Sequence, residues 1–230
     1  MLRPALVVWL GLSATLALLT SSVSNATETG PALLQAAVSL LVLVAMASML
    51  ERSAAGLPLE LGQLPGLYLR KAPMLLGYGA IAFALCLGAR ALTLTAVVMV
   101  VGGGDAGLLA GRVLSWAVYL TLLVRFCFFP FLVVLADRER FASALTSVRP
   151  LARPAAMLAW PLFMSDRLGE GRRWRLLPYV VLIYFLPAFV WSTFDVESGT
   201  LALAAAEMTA FMAYAVLFGH YRERVAKLPL

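Results

Sequence analysis

Six long runs of apolar residues, separated by shorter polar segments, dominate the chain. The runs cover residues 5–22, 32–50, 74–101, 108–132, 177–194 and 200–221. A helix needs about 20 mainly apolar residues to cross the hydrocarbon core of a bilayer. The pattern therefore predicts an all-α, polytopic membrane bundle of about six transmembrane helices, forming one transmembrane domain over residues 1–230.

Three of the runs predict distortions of their helices. The run 74–101 would measure about 42 Å as a helix, against a hydrocarbon core of about 30 Å, so tilt or an extension beyond the membrane must absorb the excess. Pro130 should kink or end the fourth helix within the sequence FCFFPF, and Pro187 should kink the fifth. Proline removes a backbone donor and clashes with the preceding turn.

Two further segments are apolar but do not fit a span. Residues 57–70 mix leucines with Glu60, Gln63, Pro58 and Pro65, and residues 155–164 are too few to cross a bilayer. A re-entrant or surface-lying position is one interpretation. A segment packed on the inner ends of the bundle is the other.

The first run also has two interpretations. Arg3, a short apolar stretch and the sequence Ser24-Asn25-Ala26 are similar to a signal peptide with a small-x-small cleavage site. Cleavage after Ala26 would leave five spans. We expect an uncleaved anchor and six spans.

Composition strengthens the membrane prediction. Of the 230 residues, 62% are hydrophobic and 13% are charged, and the mean hydropathy is +0.91. Ordinary globular chains carry about 25% charged residues. A soluble domain of this size could not bury so much apolar surface. The composition excludes a soluble enzyme, a coiled coil and a disordered chain.

The distribution of basic residues predicts the orientation. The net charge is +6, which by itself would also suit a nucleic-acid-binding protein. However, fifteen of the 18 basic residues lie in segments that share one side of the predicted bundle, and the three loops on the other side hold none. Basic residues in short loops stay on the cytoplasmic side. Both termini and the basic loop 137–176 are therefore predicted to be cytoplasmic, with no nucleic-acid partner.

The same loops suggest contact with lipid. Their arginines are expected to meet anionic headgroups at the cytoplasmic surface of the bilayer. The candidates in the large loop are Arg138, Arg140, Arg149, Arg153, Arg172, Arg173 and Arg175.

Four ionisable residues remain inside predicted spans: Arg90, Arg112, Arg125 and Glu207. Such residues are costly in hydrocarbon and usually face a partner or a wet cavity. At helical rise, Arg112, Glu207 and Arg90 lie about 6, 11 and 17 Å below the outer ends of their spans. We favour an ion pair of Glu207 with Arg112 or Arg90 over a site for an anionic ligand. Arg125 most simply reaches the inner headgroups.

Small residues recur at every fourth position in two spans, which favours close approach of helices. The two stripes are Ala80, Ala84 and Gly88 in the third run and Ala202, Ala206 and Ala210 in the sixth.

No pattern indicates catalysis. The sequence contains neither HExxH nor GxSxG, and no phosphate loop. Cys86 and Cys127 lie in apolar runs without CxxC spacing, and His220 is the one histidine, so we expect no metal and no cofactor. The protein is predicted not to be an enzyme.

The segment from Tyr119 to Arg153 resembles the signature region of YciC-like proteins and of the membrane domain attached to some glycerophosphodiester phosphodiesterases. The matching positions are Arg125, Pro130, Asp137, Ala144, Leu145 and Ser147. The resemblance covers about 35 residues and departs from the family's pattern at Val148 and Pro150. It implies a bacterial inner-membrane protein with about six spans and a non-catalytic role.

Two classes of function fit these features. The first is an accessory or scaffold subunit of a membrane complex, or an envelope-maintenance protein, with one or more partner membrane proteins. The second is a component of small-solute transport, such as the substrate-binding membrane subunit of an importer. Scaffolding predicts a closed bundle with an apolar flank, whereas transport predicts a cavity lined by polar side chains and the intramembrane charges.

Overall fold

The structure, a computed structural model, describes residues 29–57, 61–136, 141, 145, 153–193 and 200–228. All regular structure in these ranges is helical, which confirms the predicted all-α class. The predicted first span and the possible cleavage site lie outside the described residues. A 3₁₀ turn at Leu61–Gln63 directly precedes the second helix. The helices are α1 (Thr29–Ala54), α2 (Leu64–Val101), α3 (Asp105–Arg125), α4 (Phe129–Leu135), α5 (Arg153–Leu158), α6 (Trp160–Gly169), α7 (Arg173–Tyr184), α8 (Leu186–Thr193) and α9 (Thr200–Ala226).

An antiparallel hairpin of α2 and α3 is the longest feature of the fold. Gly102 ends α2 with a φ of 98°, which a residue with a side chain rarely adopts. Gly107 and Gly111 then let α3 approach α2 closely. A Cβ on Gly111 would lie 2.9 Å from Leu94 Cδ1, and one on Gly107 would collide with the carbonyl oxygen of Gly102. The run Gly102–Gly104 therefore forms a tight turn between α2 and α3.

Two helices break where proline predicts. α3 ends at Arg125, a turn occupies residues 126–128, and Pro130 stands in the first turn of α4, where its missing N–H costs no hydrogen bond. A similar break at Phe185 separates α7 from α8, with Pro187 at the start of α8.

The two apolar segments that do not fit a span have different outcomes. α2 begins at Leu64, so much of the segment 57–70 is the first part of a 38-residue helix and not a separate surface piece. The segment 155–164 forms parts of the short helices α5 and α6. Trp160, Leu162 and Met164 are buried there, which favours the interpretation that this segment packs on the bundle.

The hydrophobic core lies at the end of the bundle opposite the turn Gly102–Gly104. It joins the second half of α1, α4, α6, the start of α7 and the second half of α9. Phe131 is completely buried and its ring lies 4.7 Å from that of Tyr214 and 5.4 Å from that of Tyr221. Such contacts between aromatic rings add to the stabilisation from buried area.

The outer face of the hairpin is also apolar but, unlike the core, it is exposed. Leu92, Met99 and Val100 are 74, 80 and 85% exposed, and most other apolar residues of α2 and α3 are also exposed. The prediction that Ala80, Ala84 and Gly88 pack against a neighbouring helix is wrong within the described chain, because all three are exposed. The stripe in α9 does pack, since Ala206 and Ala210 are buried.

Two helical stretches are long and apolar enough to cross a membrane by length and composition. They are Leu64–Val101 and Asp105–Leu135, the second comprising α3 and α4.

Candidate functional site

Most charged residues of the described chain lie at the end of the bundle that holds the core. Asp166 of α6 accepts a hydrogen bond of 2.7 Å from Nη2 of Arg173, and its Oδ1 lies 3.7 Å from Nε of Arg125. This carboxylate therefore joins the end of α3 to the start of α7. Arg125, expected to reach headgroups, instead faces a carboxylate supplied by the basic loop.

A second ion-pair group joins α7 to α9. Glu223 accepts hydrogen bonds from Arg172 at 3.0 and 3.2 Å and from Lys227 at 2.6 Å. The hydrogen bond from Lys227, followed by that from Arg172, lowers the pKa of the Glu223 carboxyl from 4.5 to about 2. Nearby, Nε of Arg222 lies 3.8 Å from Oε2 of Glu51, which brings the end of α1 to the same end of the bundle.

A buried serine holds the break between α3 and α4. The Ser165 hydroxyl donates to the carbonyl oxygen of Arg125 at 2.8 Å and accepts from the backbone N–H of Phe128 at 3.0 Å. Both backbone groups lose their helical partners at the break. A single hydroxyl on α6 thus satisfies one donor and one acceptor in a fully buried position.

The intramembrane charges do not all come together. The guanidinium of Arg90 stacks on the ring of Trp116, with Cζ 4.1 Å from the ring centroid, which is a cation–π contact across the hairpin. Arg112 is exposed on α3, and Glu207 is half-buried on α9, where it has an interaction of its own. Among the ion pairs of the described residues, none joins Glu207 to Arg90 or Arg112. A pairing through water stays a prediction.

The basic residues expected at the lipid surface differ in their contacts and exposure. Arg172 and Arg173 face carboxylates, Arg153 is half-buried, and Arg175 is exposed. Arg138, Arg140 and Arg149 lie outside the described residues, as do Asp137, Ala144 and Ser147 of the family resemblance.

Two grooves open at the core end. One, of about 560 Å³, lies between α2 and the segment α5–α6 and is lined by Arg70, Lys71, Tyr78 and Trp160 among others. The other, of about 620 Å³, lies between α1, α4 and α9 and includes the side chains of Glu51, Arg222 and Glu223. Neither groove is lined by Arg90, Arg112 or Glu207.

Cys86 and Cys127 are free and buried. In the part of the chain that the structure describes, no three side chains of His, Cys, Asp or Glu cluster closely enough to hold a metal ion.

Sequence reasoning missed two sets of structurally important residues. The stripe that packs within the hairpin is Gly107, Gly111 and Ser115, all buried on α3. Their spacing of four residues could have identified them. No comparable signal marks Ser165, because its partners come from a helix break forty residues earlier in the chain.

Comparisons of the chain with models of known protein families, with curated proteins and with solved structures found no match.

Proposed function

We propose that this chain is a multi-pass protein of the bacterial inner membrane that acts as a non-catalytic accessory or scaffold subunit of a membrane complex. Its six spans place both termini in the cytoplasm. The observation that carries the proposal is the α2–α3 hairpin, whose apolar side chains are exposed along its length. Exposed apolar surface of that extent marks a membrane or protein contact.

The positions of the charged residues support the proposed orientation. The ion pairs Glu51–Arg222, Arg172–Glu223 and Arg125–Asp166 link segments that the distribution of basic residues independently assigns to the cytoplasmic side. Segments on one side of a membrane must be able to meet, and these do. The turn Gly102–Gly104, assigned to the outer side, lies at the opposite end of the hairpin.

The ion pairs of the acidic side chains support the accessory role. Asp166, Glu223 and Glu51 each pair with arginines from another helix, so they hold helix ends together. The stripe Ala80, Ala84 and Gly88 faces away from the bundle on α2. Small residues at this spacing allow the backbone of a neighbouring helix to approach closely. The resemblance to YciC-like proteins implies the same kind of role, and Arg125 and Pro130 carry it here.

Membrane placement is tested first, by reporter fusions at three positions. A reporter at Asp105 should be exposed on the outer side, and reporters at Glu170 and Lys227 on the cytoplasmic side. An outer-side signal at Glu170 would overturn the proposed topology.

The accessory role is tested by purification in mild detergent. A stoichiometric partner protein should copurify with the wild type and be lost with Ala84→Phe, which places a bulky ring on the small-residue stripe. Leu109→Phe is the matched control, because it also adds a ring to an exposed position of the hairpin but on α3, away from the stripe. A monodisperse monomer that carries a bound small solute would instead support transport and overturn the accessory role.

A further inference from the structure

The guanidinium of Arg90 on α2 is held against an aromatic ring of α3. Its Cζ lies 4.1 Å from the centroid of the Trp116 ring. That ring makes edge contacts with the rings of Tyr119 and Phe185, at centroid distances of 5.4 and 6.1 Å. Arg90 is half-buried and Trp116 is 40% exposed. These two side chains, the Arg90–Trp116 site, are therefore fixed in position but remain partly open at the surface of the bundle.

The contact with Trp116 also fixes the depth of the guanidinium. Arg90 lies eleven residues before the end of α2, and Trp116 lies eleven residues after the start of α3. Both therefore lie roughly 17 Å from the helix ends at the hairpin turn. In the orientation proposed above, on which this inference rests together with the accessory role, that depth is inside the hydrocarbon core, which is about 30 Å thick. Because the ring holds the guanidinium at this level, the side chain does not extend to the phosphates of the outer surface.

The charge of Arg90 calls for an anion at the same depth. An aromatic ring attracts a cation without neutralising it, and a charged side chain in hydrocarbon usually pairs with another one. None of the ion pairs among the described residues includes Arg90. Over the whole sequence, Glu207 is the one acidic residue within the six predicted spans. It belongs to α9, which packs on α1, α6, α7 and α8, and it has an interaction of its own. A second protein is therefore the natural source of a carboxylate for Arg90.

We propose that the Arg90–Trp116 site binds a transmembrane helix of the partner protein through an Asp or Glu side chain near the middle of that helix. A guanidinium that lies over an aromatic ring keeps its N–H groups at its edge, where two of them can donate in parallel to a carboxylate. Trp116 keeps the guanidinium in place for this contact. The partner of the accessory subunit is thus a membrane protein with an intramembrane carboxylate.

The experiment uses the full-length protein in phosphatidylcholine vesicles with two synthetic transmembrane peptides. Each peptide is a leucine–alanine helix of about 20 residues that carries a dansyl group. One has a single Asp at its centre, and the other has Asn there. Energy transfer from the tryptophans of the protein to the dansyl group measures binding. The wild type should bind the Asp peptide roughly tenfold more tightly than the Asn peptide, the size of a strong polar contact between helices in a membrane.

Variants of two arginines then locate the site. Arg90→Gln should remove the preference for the Asp peptide, and Arg90→Lys should keep part of it, because lysine keeps the charge but loses the paired donors. Arg112→Gln is the matched control, since it removes an exposed arginine of the same hairpin that lies nearer the turn. It should leave the preference unchanged. Moving the Asp to one end of the peptide should abolish the preference of the wild type.

Four results would overturn the site. Equal losses in Arg90→Gln and Arg112→Gln would favour diffuse positive charge on the hairpin. A preference that persists with the Asp at the end of the peptide would contradict the depth. Competition by acetate would mean that a small solute occupies Arg90. A wild type that inserts into the vesicles but binds both peptides equally overturns only this site, because the accessory role has its own copurification test, whereas a wild type that does not insert overturns the membrane placement as well.

Discussion

In the α2–α3 hairpin, large apolar side chains such as Leu92 and Val100 face outwards, and the small residues Gly107, Gly111 and Ser115 of α3 are buried. At the core end of the bundle, large side chains such as Phe131 and Tyr214 face one another instead. Both regions are rich in apolar residues. In the hairpin, small residues are buried and large apolar residues are exposed. At the core end, large apolar residues are buried and charged residues surround them.

This difference is the one expected if the hairpin lies in lipid, as proposed above, and the core lies next to water. In lipid, apolar side chains gain nothing by leaving their surroundings, so helices associate through close backbone packing. Near water, burial of large apolar groups is itself the driving force. Charged residues accordingly cluster around the core, where Asp166 and Glu223 pair with Arg173 and Arg172 at the start of α7.

The largest loss of stability should come from truncating an aromatic side chain of the core. Phe131→Ala is expected to lower the free energy of unfolding by about 3–5 kcal/mol, because the removed ring is completely buried and its cavity cannot fully collapse. Phe83→Ala on the hairpin is the matched control and should have a small effect, since Phe83 is 57% exposed. Thermal unfolding in one detergent measures both. Similar losses for the two variants would contradict the contrast between the regions.

A second variant in the same core keeps the aromatic ring and removes only a hydroxyl. Tyr214 packs on Phe131, and its buried hydroxyl has no hydrogen-bond partner within the described part of the chain. Burying an unsatisfied polar group is unfavourable. Tyr214→Phe should therefore leave the melting temperature unchanged or raise it, while a clear decrease would show that this hydroxyl has a partner in solution.

The next largest loss of stability is expected for Ser165→Ala. Its control is Ser115→Ala, at the other buried serine among the described side chains. Ser165→Ala leaves the carbonyl of Arg125 and the N–H of Phe128 without their partner, which should cost about 2–4 kcal/mol for two buried backbone groups. Ser115 donates at 2.9 Å to the carbonyl of Arg112 in its own helix, so Ser115→Ala leaves no N–H unsatisfied and should cost less than about 1 kcal/mol. Chemical unfolding of both variants tests the difference, and equal losses would show that Ser165 does not hold the break.

Sequence patterns predicted the features that depend on local chemistry. Apolar runs located the helices, and Pro130 and Pro187 located their breaks, because proline acts on its own helix regardless of the tertiary fold. The face that each helix of the hairpin presents could not be predicted in the same way. Nearly every position of α2 is apolar, so no contrast of polar and apolar faces shows which side packs, and the exposed stripe Ala80, Ala84 and Gly88 was expected to be buried.

The candidate site was less predictable still, because its contacts join distant segments. Asp166 belongs to the basic loop 137–176 and lies far from Arg125 in the sequence. Its pairing with Arg125 depends on how α6 packs against the end of α3, which sequence spacing does not reveal. The same holds for Arg90, whose aromatic partner Trp116 lies across the hairpin turn.

Replacing glycine by alanine should have opposite effects on stability at a tightly packed position and at an open one. Gly107→Ala places a Cβ against the carbonyl of Gly102, so it should lower stability by about 1–3 kcal/mol through displacement of the hairpin turn. Gly219→Ala in α9 meets nothing within 4 Å and should raise stability by about 0.5–1 kcal/mol, since alanine favours a helix interior. Their melting temperatures should move in opposite directions, and a stabilised Gly107→Ala would contradict close packing at the turn.

The smallest expected effect on stability concerns Glu223, one of the charged residues around the core. Because Lys227 and Arg172 lower the pKa of Glu223 to about 2 in the folded chain, this carboxylate stabilises the fold above its ordinary pKa of 4.5. That contribution should be lost as the pH falls from 4.5 towards 2, where the folded state also takes up the proton. The effect should be small and should weaken in high salt, since the side chain remains accessible to water.

Glu223→Gln tests this sign directly. The variant should melt below the wild type at neutral pH, and the two melting temperatures should converge as the pH approaches 2. Glu170→Gln is the control, because it removes a carboxylate from the same end of the bundle while keeping the backbone carbonyl that accepts from Arg224. A gap between wild type and Glu223→Gln that stays constant over this pH range would mean that the hydrogen-bonding shape of the side chain, and not its charge, joins α7 to α9.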